Sequence, residues 1–449
     1  MEEKNSVELK ESDIFLFPKE IFYKVLGDNT LVISTNTANW IVINSEKEKK
    51  ILKLLIDRNS IGNVILKLNK DDKIILKNLI AKICARKFAG INEEIEPTKI
   101  ITSNLMYCYL TNSCNLRCPH CYMKAGEKMK NELSCDDWKD LLTDFKNEGG
   151  KGVTFTGGEP LMNKSFGEIV KHAHNIGLEV TVLTNGILWD EEKINSLYPY
   201  ITEIQISIDG FDDKSNSVLR GINHFEHVKN VAISFANLGV KTSIATTFTF
   251  ENLKDGIEEK YKYFVDSVSE KVKNPIIFRL SKKMLSGREI KYTEEQNKEY
   301  YEKVLKIENY VRPNSTLYNF MEDHHNHNLL FDNCGFGGIS ISSDGNVFLC
   351  NRILDLKSIG NIKDYPIKHF IEYGEKVNEN TSVNFSVPCN KCHLRYICGG
   401  GCRLDDFNFK GDLEKAKCEE KQISCSKIKK EKIERLMLES FKYYYNFNN

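Results

Sequence analysis

The stretch Cys114-Asn115-Leu116-Arg117-Cys118-Pro119-His120-Cys121-Tyr122 follows an apolar strand pattern at Asn104–Thr111. It puts three thiols on one loop. Three thiolates so spaced can hold three corners of a [4Fe–4S] cube and leave the fourth iron open to an exogenous chelator. A zinc knuckle is the rival, although it usually asks for four protein ligands. Around this loop the chain alternates strands and helices. Strand patterns recur at Gly152–Thr156, Leu178–Thr184, Glu203–Asp209, Lys241–Phe250 and Pro275–Leu280. Helical periodicity runs over about 134–148, 164–176, 190–197, 222–238, 251–268 and 293–312. Six βα units in series predict a parallel sheet, closed or partly closed into a barrel, with its chemistry at the C-terminal strand ends.

Polar motifs sit at those ends. Thr156-Gly157-Gly158-Glu159-Pro160 closes the second strand, Thr184-Asn185-Gly186 the third and Ser207-Ile208-Asp209-Gly210 the fourth. Glycine lets a backbone approach a ligand, and a carboxylate can receive an ammonium. Any one such junction could serve turn geometry alone. Together with the cysteine loop they make four junctions in register at one barrel mouth.

C-x3-C-x2-C followed by Gly-Gly-Glu-Pro, Thr-Asn-Gly and Ser-x-Asp-Gly resembles the radical S-adenosylmethionine (radical SAM) superfamily over roughly residues 104–312. The resemblance implies an α/β fold, a partial (β/α)6 TIM-like barrel. Cys114, Cys118 and Cys121 would bind a [4Fe–4S] cluster, and the methionine part of SAM would chelate its open iron. By motif match Gly158 and Glu159 would lie near the methionine amino group, Ser207 and Asp209 near the ribose, and His120 near the adenine. Arg220-Gly221 resembles an Arg-Gly pair that helps bind the SAM carboxylate; a structural ion pair is the other reading. Reductive cleavage of SAM would yield a 5′-deoxyadenosyl radical that abstracts a substrate hydrogen, with the protein positioning the cofactor and excluding water.

A second cysteine region follows. Cys334 precedes Gly345-x4-Cys350, then come Cys389-x2-Cys392-x5-Cys398-x3-Cys402, Cys418 and Cys425. The four-cysteine run alone could be a zinc site. The whole set, about 334–425, resembles the SPASM extension of radical SAM peptide-modifying enzymes. That implies two auxiliary [4Fe–4S] clusters, hence three in all. Cys334, Cys350 and Cys402 would hold the first; Cys389, Cys392, Cys398 and a last cysteine the second. Cys418 suits the usual gap for that last ligand, with Cys425 as the alternative. No cysteine lies between Cys334 and Cys350, so the first cluster would keep an open iron for a substrate thiolate or a remote protein group. Cys84, Cys108 and Cys135 fall on helix or strand patterns and read as buried small apolar residues.

Upstream, strand patterns and then three helices over residues 14–92 resemble the winged-helix-like recognition element fused to peptide maturases. It would hold a leader peptide as an added strand at a sheet edge. A nucleic-acid-binding winged helix and a structural cap are the rivals. Domains are therefore expected at 14–92, 101–312 and 313–430, with a closing helix over 431–449 and a linker at Glu93–Lys99.

Composition narrows the classes further. The 449 residues carry 63 basic and 63 acidic side chains, which removes a net-charge case for nucleic acid, and 41% hydrophobic content excludes wholesale disorder. No apolar run approaches the ~18–20 residues of a membrane span. Met1-Glu2-Glu3-Lys4-Asn5 is unlike a secretory signal. The 14 cysteines cluster as metal ligands do in a reducing compartment. The expectation is a cytoplasmic radical SAM enzyme that acts on a Cys-containing precursor peptide, forms sulfur-to-carbon thioether links, and draws on an electron donor such as flavodoxin or ferredoxin. Alternatives are carbon–carbon cross-linking, epimerisation, sulfatase (formylglycine) maturation, and a non-enzymatic iron–sulfur carrier or zinc scaffold.

Overall fold

The computed structural model describes residues 8–99, 104–221, 223–254, 256–407 and 425–444. The N-terminal unit runs β1 (Phe15–Leu16), β2 (Ile21–Leu26), β3 (Asn29–Ser34), β4 (Asn39–Ile43), α1 (Glu46–Ile56), α2 (Ile61–Leu66), α3 (Lys70–Ala85) and β5 (Gly90–Ile91). β2, β3 and β4 form an antiparallel meander, and β1 pairs with β5. Ser45, Ser60 and Asn69 each accept an amide of the helix they open, so an otherwise orphan donor is satisfied at all three N-termini. Leu31, Val32, Ile33 and Ile41 are buried against Leu52, Leu55, Leu79 and Ile83 of the helices.

Next come β6 (Thr98–Lys99), β7 (Leu105–Tyr109), α4 (Cys135–Asn147), β8 (Gly152–Thr156), α5 (Phe166–Asn175), β9 (Glu179–Thr184), α6 (Glu191–Leu197) and β10 (Glu203–Ser207). Then follow α7 (Asp213–Arg220), α8 (Phe225–Asn237), β11 (Lys241–Thr246), α9 (Ile257–Ser269), β12 (Ile277–Leu280) and α10 (Glu294–Val311). β7 to β12 lie side by side in chain order and all parallel. The strand sequences explain which face goes where. Val153 and Phe155 on β8, Val180 and Val182 on β9, and Ile204 and Ile206 on β10 are buried in the helix-covered core. The alternate residues Gln205 and Ser207 are half-buried and line the cavity. A strand turns successive side chains to opposite faces, so this alternation separates core from site.

The last part is α11 (Ser315–Asp323), β13 (Leu329–Leu330), β14 (Ile339–Ile341), β15 (Asn346–Phe348), β16 (Gly360–Asn361), α12 (Ile367–Asn380), α13 (Arg395–Cys398) and α14 (Lys427–Tyr444).

Four features depart from the sequence reading. The sheet does not stop at β7: β14 pairs with it in parallel, and β15 and β16 extend the sheet antiparallel. The region beyond residue 313 is thus built onto the barrel sheet. α7 was not anticipated, because Asp213–Arg220 is nearly all polar; a capping box between Asp212 and Ser215 starts it. The expected linker is partly ordered in pairing, since Thr98 and Lys99 of β6 pair with β13. The boundary drawn at 430/431 falls inside α14. That helix joins the N-terminal core through Met437 and Phe441, and the Trp40 indole Nε1 donates to the Met437 carbonyl at 3.0 Å. Among the described residues no helix is long and apolar enough to cross a membrane.

Candidate active site at the barrel mouth

A cavity of about 320 Å³ opens at the C-terminal ends of the strands. Cys114, Cys118, Cys121, His120, Gly157, Gly158, Ser207 and Arg220 all line it. The cysteine loop is held by its own backbone and by polar anchors. Cys114 N donates to Gly126 O at 2.9 Å, Gly126 N to Asn112 O at 2.8 Å, and Glu132 accepts from Asn112 N at 2.8 Å. Burial pushes the Cys118 thiol up to about 11 and raises that of Cys114. Metal binding at these thiols would therefore release protons.

The Gly-Gly-Glu-Pro loop is laced onto the cysteine loop. Gly158 N donates to Thr111 O at 2.8 Å and Glu159 N to Ser113 O at 2.9 Å. A Cβ on Gly157, whose φ is +139°, would lie 2.4 Å from Thr111 O, and one on Gly158 would lie 2.2 Å from Ser113 O. Only glycine fits this approach. Glu159 itself does not line the cavity. It is fully buried, accepting from Thr184 Oγ1 at 2.7 Å and Asn185 N at 2.8 Å. Burial pushes its carboxyl up to about 7 against those hydrogen bonds. Glu159 thus ties the second strand end to the third, behind the surface where the motif match put it.

Asp209 does not line the cavity either, although its partners His120 and Arg220 do. Its carboxylate is buried, accepting from Arg220 Nε at 2.5 Å and Thr247 N at 2.7 Å, with His120 Nε2 at 3.2 Å. Burial alone would raise its pKa; Arg220 and His120 outweigh burial and hold it at about 2. Of the two residues assigned to the ribose, only Ser207 lines the cavity, while Arg220 both pairs with Asp209 and lines it. The ion pair expected for Arg220 is thus present, and the residue also lines the cavity. A depressed carboxylate stabilises the fold above its unfolded pKa near 3.8 and loses that contribution as pH falls toward 2. Asp209→Asn is expected to cost about 2 kcal/mol at neutral pH and to flatten the acid limb of a thermal-melt pH series.

The residues fit the implied groups. His120 lines the cavity, and its buried Nδ1 has no hydrogen-bond partner among the described residues. Three thiols, those of Cys114, Cys118 and Cys121, line one cavity. That donor set suits a group with several metal corners.

The second cysteine region gathers two sets. Cys334, Cys350 and Cys402 are neighbours: Cys402 and the Arg403 N–H hydrogen-bond the Cys334 sulfur and lower the pKa of its thiol, and the Cys350 thiol feels Cys402. Cys389, Cys392 and Cys398 form the other set, and Cys425 is beside them, acting on the thiols of Cys389 and Cys398. Cys418 lies outside the described residues. Cys108 is buried, and Cys84 and Cys135 are half-buried and packed against the two hydrophobic cores. Cys135 sits on an exposed helix start, 3.8 Å from Glu168.

Several cavity neighbours were not singled out in the sequence. Gln205, Thr247 and Ser281 line the cavity, and so does Lys283, a charge beyond the sixth strand for which the sequence leaves cavity and solvent both open. Tyr122 reaches across to the loop after Cys350, where its hydroxyl accepts from Leu354 N at 2.8 Å and Asp355 N at 3.2 Å. Arg288 and Glu289 strap the loop after β12 onto the cysteine loop: Glu289 N donates to Pro119 O at 2.8 Å and Arg288 Nε to Cys118 O at 3.4 Å. Position after a strand end was the signal available for Ser281 and Lys283. Nothing local marks the rest.

Comparison with known proteins agrees with this geometry. Residues 108–260 match the model of the Radical SAM superfamily. The chain is similar to the sporulation killing factor maturation protein SkfB of Bacillus subtilis (strain 168), 30% identical over 182 residues, which is 40% of this chain and 42% of SkfB. The match thus spans less than half of that relative's length. It is also similar to the AdoMet-dependent heme synthase of Nitratidesulfovibrio vulgaris, 28% identical over 336 residues, 69% of this chain and 90% of the relative. In fold it resembles the structure of anSMEcpe with bound AdoMet and Cp18Cys peptide, with a TM-score of 0.54 and 21% identity, over 78% of this chain and 99% of that one. Residues 108–260, which include Cys114, Cys118 and Cys121, thus carry the match to the Radical SAM superfamily.

Proposed function

We propose that this enzyme modifies a ribosomally made, Cys-containing precursor peptide and links a cysteine sulfur to carbon. The observation that carries the reading is that the Cys334, Cys350 and Cys402 set is joined to the barrel mouth. Cavity-lining Lys283 lies 2.9 Å from Asp405, and Tyr122 is hydrogen-bonded to the loop after Cys350. A substrate in the cavity is therefore close to a second thiolate set that could receive an electron or a sulfur. When bound, the barrel cluster and SAM supply a 5′-deoxyadenosyl radical that takes a hydrogen atom from the substrate. The chain's own residues would orient and shield: Gly157 and Gly158 would admit the methionine end, His120 and Ser207 would face the nucleoside, and Arg220, paired with Asp209, would stand by the carboxylate.

In this reading the C-terminal region is a SPASM-type domain with two auxiliary [4Fe–4S] clusters, three in all. Cys334, Cys350 and Cys402 hold the first, with a place left for a substrate thiolate. Cys389, Cys392 and Cys398 hold the second, and the nearness of Cys425 supports it as the fourth ligand, with Cys418 as the competitor. The unit at 14–92 is the leader-binding domain. The three-stranded sheet followed by three helices supports this, as do the exposed apolar side chains Phe22, Tyr23 and Val25 on β2. A cytoplasmic location and a flavodoxin or ferredoxin donor belong to the same reading. SkfB is described as maturing a killing factor, and anSMEcpe holds a peptide; both favour a peptide substrate. A tetrapyrrole substrate is the second reading, favoured by the long match to a heme synthase.

The test is anaerobic incubation of reconstituted enzyme with SAM, a reductant and Cys-containing precursor peptides. The expected product has lost two hydrogens per link and has one thiol fewer open to alkylation. SAM cleavage stimulated by an iron porphyrin, with no peptide altered, would favour the second reading.

A further inference from the structure

A charged array lies between the cavity and the first auxiliary-type cysteine set. The Arg352 guanidinium is only 17% exposed in its side chain. Its Nε and Nη2 both reach Asp355 Oδ2 at 2.6 Å, and its Nη1 donates to Asp405 Oδ2 at 2.8 Å. The same Nη1 stands 4.0 Å from the Cys402 sulfur. The other oxygen of Asp405 takes the Lys283 ammonium at 2.9 Å, and Lys283 lines the cavity. The fork is thus fixed on two carboxylates, and its remaining direction is toward sulfur. The 4.0 Å contact is long for a hydrogen bond, so what Arg352 exerts on Cys402 is chiefly the field of a fixed charge.

We propose that Arg352, oriented by Asp355 and Asp405, is a positioning residue that raises the reduction potential of the first auxiliary cluster, and that Lys283 joins this effect to the cavity. The proposal rests on the reading that Cys334, Cys350 and Cys402 hold a cluster. One-electron reduction adds a negative charge there, with the electron coming from an external donor. A nearby cation stabilises the reduced form and a nearby anion destabilises it, as net charge and hydrogen bonds around cluster sulfurs set such potentials. The array therefore makes a signed prediction. Arg352→Gln lowers the potential. Lys283→Gln lowers it by less, because Lys283 acts through Asp405. Asp405→Asn raises it. Arg352→Lys keeps a cation and stays close to the unaltered protein.

The experiment is a dithionite titration with redox mediators, followed by electron paramagnetic resonance. It uses the reconstituted full-length chain carrying Cys114→Ala, Cys118→Ala and Cys121→Ala, so that only auxiliary clusters report. Iron and sulfide are counted in every variant. One of the two auxiliary signals is expected to shift in Arg352→Gln by at least a tenfold change in the reduction equilibrium, about 59 mV for one electron. Asp405→Asn is expected to shift the same signal the opposite way, both at unchanged iron content. Unchanged potentials at full iron content, or shifts of one sign in both variants, overturn the inference alone. Absence of auxiliary iron in the parent protein overturns both the inference and the cluster reading beneath it. Arg352→Gln could lose iron simply by unfolding the loop, in which case Asp405→Asn and Lys283→Gln still decide the sign.

Discussion

Replacing Cys118 with alanine is expected to abolish production of 5′-deoxyadenosine from SAM, a fall of at least about a thousandfold to the uncatalysed background. The argument begins with the loop. Cys114, Cys118 and Cys121 line one cavity, and Cys118 is the middle donor of the three. A [4Fe–4S] cube held by three thiolates keeps one iron for SAM. With two protein ligands the cube has two unprotected corners, and SAM loses a fixed iron to chelate. The neighbouring anchors, Glu132 on Asn112 and Glu289 N on Pro119 O, do not depend on the Cys118 side chain, so the loop should keep its path. The decisive comparison is iron content together with nucleoside product. The unaltered chain should reconstitute with about twelve iron atoms if all three cysteine sets carry cubes, and the variant with about eight. Full SAM cleavage by Cys118→Ala would show that the cluster is held elsewhere. Loss of all iron would show that the fold, and not one ligand, had been removed.

The parts of this site that the sequence disclosed are those with a local cause. Cysteines in a tight loop, glycines at a strand-to-helix junction and alternating apolar residues in β8, β9 and β10 can each be read within a few residues of the atom concerned. That was enough for the parallel sheet and the position of its mouth. It was not enough for side-chain direction. Glu159 and Asp209 sit at the expected junctions, yet each carboxylate is spent on partners far along the chain: Thr184 and Asn185 for Glu159, Arg220 and Thr247 for Asp209. A buried carboxylate must find donors, and which donors it finds is settled by packing. The Lys283–Asp405–Arg352 array was hidden for the same reason, since it joins a barrel loop to the far C-terminal region. So was the partner of β14: a short strand is legible at Ile339–Ser342, but three residues are too few for the pairing with β7 to be read from alternation. Cys135 follows a helix cap, Ser134, and packs half-buried against the core, as its place beside an apolar stripe suggests.

Gly158→Val should lower SAM affinity at least about a hundredfold while leaving the fold intact. Space causes this, because the contact in question is between two backbones. A Cβ at Gly158 would lie 2.2 Å from Ser113 O, 2.7 Å from Ser113 C and 2.8 Å from Asn112 O. None of these atoms is the far end of a flexible side chain. Ser113 is the residue before Cys114, so relief by moving Ser113 moves the first cluster ligand, and relief by moving Gly158 withdraws a cavity wall. Either way a near-attack geometry is lost by a displacement on the order of 1 Å, enough for this scale of effect. Gly149→Ala is the matched control. That glycine has a φ of +92° at the end of α4 but nothing within 4 Å of its would-be Cβ. It should carry backbone strain of about 1 kcal/mol with SAM binding unchanged. Calorimetric titration of SAM into each reconstituted protein separates the two. If Gly158→Val binds as tightly as the unaltered chain, the glycine pair is a turn and no more. If Gly149→Ala loses SAM as well, the effect is general destabilisation, and the close approach of the two loops is not what shapes the site.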